Sequence, residues 1–244
     1  MSTDCPQGKD EADDFQRRAF IAAWSGDETA LRDILTGDFP TLRDSDGKTL
    51  FCASMLGGVS ISSLIDMGAD VNALNSDGTS ALFHAFLDDD GAAVAELLNC
   101  GANTWDSWFG DGTALHLAAM NDARVAIEAA LRYGVSADLI NASDTRGFTV
   151  LMTAVESGHH AVAAALINAG ADVNAYDANR YCETALHVAA ERGDRKCIEL
   201  LLRAGASLEI QDSHGRRPAD LYLEAHEKDS IDVEVLRMLL RELV

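Results

Sequence analysis

Seven histidines, five cysteines and a run of three aspartates are the side chains of this 244-residue sequence best suited to chemistry. A zinc site needs three or four of them to converge. The cysteines, Cys5, Cys52, Cys100, Cys182 and Cys197, are odd in number and far apart, with no C-x-x-C pair. Neither a disulfide framework nor a zinc site follows from that spacing. His159 and His160 are adjacent, but no further ligand stands near them in the sequence. The acidic run lies in "FLDDDGA", residues 86–92. A calcium loop needs alternating ligands and a distal Glu, whereas consecutive aspartates point in different directions. A solvated helix junction is the expectation there, with Asp88 and Asp89 available to a basic partner. No phosphate loop, G-x-S-x-G, H-E-x-x-H or G-x-G-x-x-G is present, and each of those patterns exists because its chemistry requires it. No catalytic, cofactor-binding or metal-binding residue is therefore assigned, and no cofactor is expected.

The aromatic residues are the other signal. "WDSWFGDGTALH", residues 105–116, gathers Trp105, Trp108 and Phe109 within five positions, in a chain with three Trp in all. Large apolar rings in a turn serve either a partner, as interface anchors do, or their own neighbours. Both readings stay open for Trp108 and Phe109: contact with a partner, or packing with Trp105 into a local cluster.

The elements that position these residues recur. "GKTLFCA" begins at Gly47, "GTSALFHA" at Gly78, "GTALHLAA" at Gly112, "GFTVLMTA" at Gly147, "ETALHVAA" at Glu183 and "GRRPADLY" at Gly215. The aligned Thr49, Ser80, Thr113, Thr149 and Thr184 are spaced 31, 33, 36 and 35 residues apart. Each short Ala- and Leu-rich stretch is followed by a longer apolar one, such as "RKCIELLLRAG", and then by Asn, Asp and Gly turn residues. A period of this size means a repeated supersecondary unit. Neither short helix can bury its apolar stripe alone, whereas stacked units share a core. Gly205 reads as a left-handed helix stop.

These units resemble ankyrin repeats. The resemblance is carried by "TALHLAA" at 113–119, "TALHVAA" at 184–190, "SGHHAVAAALINAGADVNA" at 157–175 and "GADVNA" at 68–73. It implies an all-α solenoid of paired short antiparallel helices joined by hairpin-like fingers. The reading is a single ankyrin-repeat domain over 15–244 behind an acidic tail at 1–14, expected to be mobile. Degenerate cap repeats are placed at 15–46 and 215–244, with repeats at 47–77, 78–110, 111–146, 147–181 and 182–214. Two fingers are long: Gly134 to Thr149 is 15 residues and Gly170 to Thr184 is 14, against 12 from Gly68 to Ser80. Insertions in repeat proteins map to loops on one face. The last stretch has helical spacing at Val233, Leu236, Leu239, Leu240 and Leu243.

By the same resemblance, His116 and His187 hold turns together by hydrogen bonds, and Asn72 and Asn174 belong to hydrogen-bonded turns. The family's binding surface lies on the concave face. Carried onto this chain, it comprises His84, Leu87, Asp88, Met120, Asn121, Glu156, Ser157, Glu191 and Arg192 on the first helices. Trp108, Phe109, Asp111, Arg146, Arg180 and Tyr181 extend it through the fingers.

The charge narrows the partners. Lys and Arg number 19 against 40 Asp and Glu, a formal net charge of −21. Such a chain repels nucleic-acid phosphates and anionic membranes and attracts basic partners; it also favours solubility. No apolar run approaches the ~18 residues of a membrane span, and the polar start lacks a secretory pattern. The expectation is a cytoplasmic monomer that binds another protein without catalysis. An inhibitor or immunity-type protein neutralising a basic toxin or nuclease is the alternative. An enzyme accessory domain is a third reading.

Overall fold

The fold is described from a computed structural model, over residues 7–35, 42–103, 112–177, 181–226 and 231–240, with side chains from residue 14 onward. Trp105, Trp108, Phe109, Asp111, Arg180 and Leu243 lie outside the described residues. The chain divides into two compact units, one of residues 1–84 and 93–103, the other of 85–92 and 104–244.

The first unit opens with α1 (Gln7–Ser25) and α2 (Glu28–Ile34), followed by α3 (Leu50–Leu56) and α4 (Ile61–Asp66). Helix α1 begins well before Phe15, so part of the stretch read as a tail is helical. It packs on α2 and α3, and α3 packs on α4. Asp27 caps α2, accepting from the Ala30 amide at 2.9 Å. Two further helices, α5 (Ala81–Leu87) and α6 (Gly91–Asn99), have their residues divided between the units.

The second unit contains α7 (Ala114–Met120), α8 (Arg124–Tyr133), α9 (Ala137–Ile140), α10 (Val150–Ser157), α11 (His160–Asn168), α12 (Ala185–Glu191), α13 (Arg195–Arg203), α14 (Pro218–Ala225) and α15 (Val233–Leu240). The sequence sets the helix starts: Thr149 Oγ1 accepts from the Met152 amide, and Pro218 occupies the first turn of α14, where its missing N–H costs nothing. Gly158, at φ +77°, ends α10 in the left-handed conformation that favours glycine.

Helices α7, α10, α12 and α14 pack successively side by side, as do α8, α11, α13 and α15. Small residues make the first layer possible. Ala118, Ala119, Ala154, Ala189 and Ala190 are fully buried, with Leu115, Leu151 and Leu186 beside them. Ile127, Val162, Leu166, Ile198 and Leu201 form the buried stripe of the second layer. Burying each such side chain stabilises by about 1.5–3 kcal/mol before entropy is counted.

Two details differ from the sequence expectation. The longer interval after Gly134 is not open loop: Ser136 caps the single turn of α9 and buries Leu139 and Ile140. In α15 the buried positions are Val235 and Leu239, while Val233 and Leu240 are exposed. Among the described residues α15 packs on α13 and α14, and a narrow apolar stripe serves that contact. Among the described residues, no helix is long and apolar enough to cross a membrane.

Candidate functional site

Two fingers of the second unit are each held by an aspartate of their own. Asp144 Oδ1 accepts from the amides of Arg146 and Phe148, at 2.9 and 2.8 Å. Asp212 Oδ1 accepts in the same way from His214 and Arg216. Antiparallel bridges Ser143–Thr149 and Tyr176–Thr184 close the base of two fingers. The next repeat is tied on by histidine. His116 Nδ1 accepts from the Thr113 amide at 3.1 Å, which leaves Nε2–H to donate to the Phe148 carbonyl at 3.0 Å. His187 does the same between the Thr184 amide and the Arg216 carbonyl. Burial holds both imidazoles below the ordinary histidine value, so they stay neutral.

Beside these fingers the second unit has a cavity of about 560 Å³. Finger residues Tyr181, Glu183, His214 and Arg216 line it together with Glu156, Glu191 and Arg192 near the ends of first helices, over a floor of Phe148, Val188 and Leu221. Tyr181 is 41% exposed, with its ring 5.5 Å from that of His214. Arg216 joins Asp212 Oδ2, at 2.8 Å from Nε, to Glu224, at 3.0 Å from Nη1. Burial opposes the charge on Asp212, but hydrogen bonds from Arg216 and His214 outweigh it and hold the carboxyl below its usual range. Glu183 shows the reverse. Burial pushes its pKa up, and the negative charges of Glu191, Asp177 and Asp212 push it further.

Among the candidates read from the sequence, Glu156, Tyr181, Glu191 and Arg192 thus share one cavity. Met120 and Arg146 line a smaller one of about 220 Å³, with His116, Leu117, Asp144, Thr145 and Thr153. Arg146 is clasped by Asp144 at 2.9 Å and Glu156 at 3.0 Å, over the Phe148 ring. His84 turns inward, 3.1 Å from both Asn75 Nδ2 and Thr79 Oγ1. Asn121 is exposed but donates to the Leu117 carbonyl at the end of α7. Ser157 is half-buried, while Leu87 and Asp88 are exposed. The acidic run separates as consecutive residues must: Asp89 Oδ1 accepts from the Ala126 amide and Asp90 Oδ1 from the Ala92 amide.

Sequence reasoning missed Phe148, Glu183 and Arg216. All three stand immediately before a helix-opening position, where the other repeats have Lys48, Thr79 and Gly112. A position that varies this much inside a constant frame was the available signal. Spacing also hid the partners of His160. Its Nε2 lies 2.8 Å from Asp194 Oδ2, and His160, Asp194 and Cys197 bring potential ligand atoms within 4.8 Å of one another. Asp194 caps α13 through the Cys197 amide. Burial, reinforced by that carboxylate, pushes the Cys197 thiol up to about 12. The protonated thiol and the imidazole both act as neighbours of one capping carboxylate, and the contact staples α11 to α13.

A family model described as ankyrin repeats in three copies matches residues 87–177 and 115–212. The chain belongs to the ankyrin-repeat family. Ankyrin repeats are generally protein–protein interaction modules on a non-enzymatic scaffold. The solved ankyrin repeat domain of Bcl-3, described as a unique member of the IkappaB protein family, superposes with a TM-score of 0.79 at 22% identity. The match covers 91% of this chain and 97% of that one. At that identity the likeness establishes the all-α repeat fold of this ankyrin-repeat protein, and nothing of what it binds. No curated protein sequence matches it.

Proposed function

We propose that this ankyrin-repeat protein is a non-catalytic binding module that takes a protein partner on the finger and first-helix face of its second unit. The observation that carries the reading is the open cavity where Tyr181 and three glutamates meet on that face. A partly exposed aromatic ring beside clustered carboxylates, of which Glu191 has no ion pair among the described residues, suits a protein surface with a basic anchor. Met120 and Leu87, both exposed, supply apolar area on first helices. Trp108, Phe109, Asp111 and Arg180 are assigned to the same role from their finger positions in the sequence. The net charge of −21 supports a narrower form, an inhibitor of a basic toxin or nuclease. In that form the association rate falls as ionic strength rises while dissociation changes less.

The test is a paired measurement on Trp108→Ser with Phe109→Ser, Ser being the residue at positions 76 and 213, which match Phe109 in their repeats. With the partner isolated by cross-linking through photoreactive residues at Met120 and Tyr181, affinity is expected to fall about tenfold or more per anchor. Melting is expected to stay within a few degrees of the parent. A double mutant that binds as the parent does, or melts far lower, overturns the assignment of those rings.

A further inference from the structure

Three consecutive fingers of the second unit carry an aspartate at the same register, Asp144, Asp177 and Asp212, and the first helix after each carries a glutamate near its end, Glu156, Glu191 and Glu224. In the first and third, one arginine joins the pair. Arg146 reaches Asp144 and Glu156, and Arg216 reaches Asp212 and Glu224. The middle repeat keeps both carboxylates, and no arginine joins them among the described residues. The place corresponding to Arg216, just before the helix-opening Thr184, is held by Glu183.

Three acids of this repeat lack a clasping arginine among the described residues. Asp177 is fully buried, and its Oδ2 has no hydrogen-bond partner. Glu191 is exposed at the cavity rim, with no hydrogen bond or ion pair among the described residues. Glu183 points into the cavity wall with only 10% of its side chain exposed. Among the described residues its nearest cation is Arg216 Nη2 at 4.0 Å, beyond hydrogen-bond range. That guanidinium is already engaged by Asp212 and Glu224. A buried carboxylate with no donor is costly, and such a cost is tolerated where a ligand removes it.

The geometry points to an arginine-binding site: the 560 Å³ cavity receives an arginine side chain of the protein partner, held by Glu183 and Glu191 beside the Tyr181 ring. The neighbouring clasps show the chemistry within this same molecule. A planar guanidinium spans two carboxylates on different elements, which an ammonium cannot do with the same fork. The partly exposed Tyr181 ring at the cavity wall is of the kind beside which a guanidinium packs. The occupant is taken to come from outside: among the described residues Arg216 is the one cation within 4.0 Å of Glu183, and it is spent, while Arg192 lines the cavity without an ion pair to Glu183 or Glu191. The inference rests on the protein-binding reading and names the group that this face recognises.

The experiment is a titration of the full-length, isotopically labelled protein with N-acetyl-arginine amide, followed by amide NMR shifts. N-acetyl-citrulline amide, the neutral isostere, and N-acetyl-lysine amide serve as competitors. Saturable shifts at Cys182, Glu183, Glu191 and His214 are expected for the arginine compound, with citrulline inert and lysine weaker. Glu183→Gln is expected to weaken binding about tenfold or more with no loss of melting temperature. Equal binding of citrulline or lysine, or unchanged binding by Glu183→Gln, overturns the site. Arg180 of the chain itself is the competing occupant. If the parent binds no arginine compound and Arg180→Gln gains binding, the cavity is filled internally and the inference fails. Absence of binding by both leaves the site disproved, while the protein-binding reading stands or falls separately on cross-linking at Met120 and Tyr181.

Discussion

The fingers headed by Asp212 and Asp177 begin alike and end differently. In each, one carboxylate oxygen accepts two backbone amides: His214 and Arg216 in the first, Tyr181 and Cys182 in the second. The second oxygen of Asp212 is closed by Arg216, whereas that of Asp177 has no partner. The shared half makes the turn; the differing half decides whether the finger is finished within the chain. A repeat fold permits this because each unit contacts only its neighbours. One finger can be left open without undoing the others.

The comparison breaks most visibly on removing charge from both aspartates. Asp212→Asn keeps an acceptor for the turn amides but sets an amide group against Arg216. It is expected to cost about 2 kcal/mol, the lower end for a partly buried pair because Arg216 retains some exposure. Asp177→Asn also keeps its turn acceptor, and has no arginine to lose. Its cost is expected to stay under about 1 kcal/mol. Chemical denaturation of the two variants beside the parent checks this. Equal losses would mean that the clasps contribute nothing and that the two fingers are energetically the same.

A smaller effect comes from the staple beneath both fingers. His187→Ala removes the bonds to the Thr184 amide and the Arg216 carbonyl. A cost on the order of 1–2 kcal/mol is expected, with partner affinity unchanged wherever the protein remains folded. Lost affinity at an unchanged melting temperature would make His187 a contact residue and contradict its structural role.

How much of this was legible beforehand differs by level. Period and the buried Leu and Ala positions follow from spacing, because a helix repeats its face every 3.6 residues and the family frame recurs at fixed offsets. His116 and His187 were placed by the same frame. The helical turn at Ala137–Ile140 was not, since four residues show no period. The cavity was partly legible: Glu156, Tyr181, Glu191 and Arg192 were named, but Glu183 was not. Its meaning depends on which arginines are already engaged. That is a matter of three-dimensional pairing across repeats some 30 residues apart, as with Arg216 and Glu183, and it leaves no trace in local spacing.

The finest test uses acid, because the two kinds of group on these fingers respond with opposite sign. His116 and His187 have folded-state pKa values below the ordinary 6.5. The unfolded chain therefore binds protons first as pH falls through 6.5, and their stabilisation, complete above that value, is lost on further acidification. Glu183 has a folded-state pKa above its ordinary 4.5. Its charge burdens the native state at neutral pH, and the burden is lifted as pH falls through the raised value. Glu183→Gln removes the burden at every pH. At pH 7 it is expected to raise the melting temperature slightly, the gain shrinking toward zero as the pH approaches 4.5. Melting curves of parent and variant at half-unit steps between pH 7.5 and 4.5 measure the difference directly. A variant that melts lower than the parent at pH 7 would mean that Glu183 is already satisfied within the chain, and the middle finger would then be as closed as its neighbours.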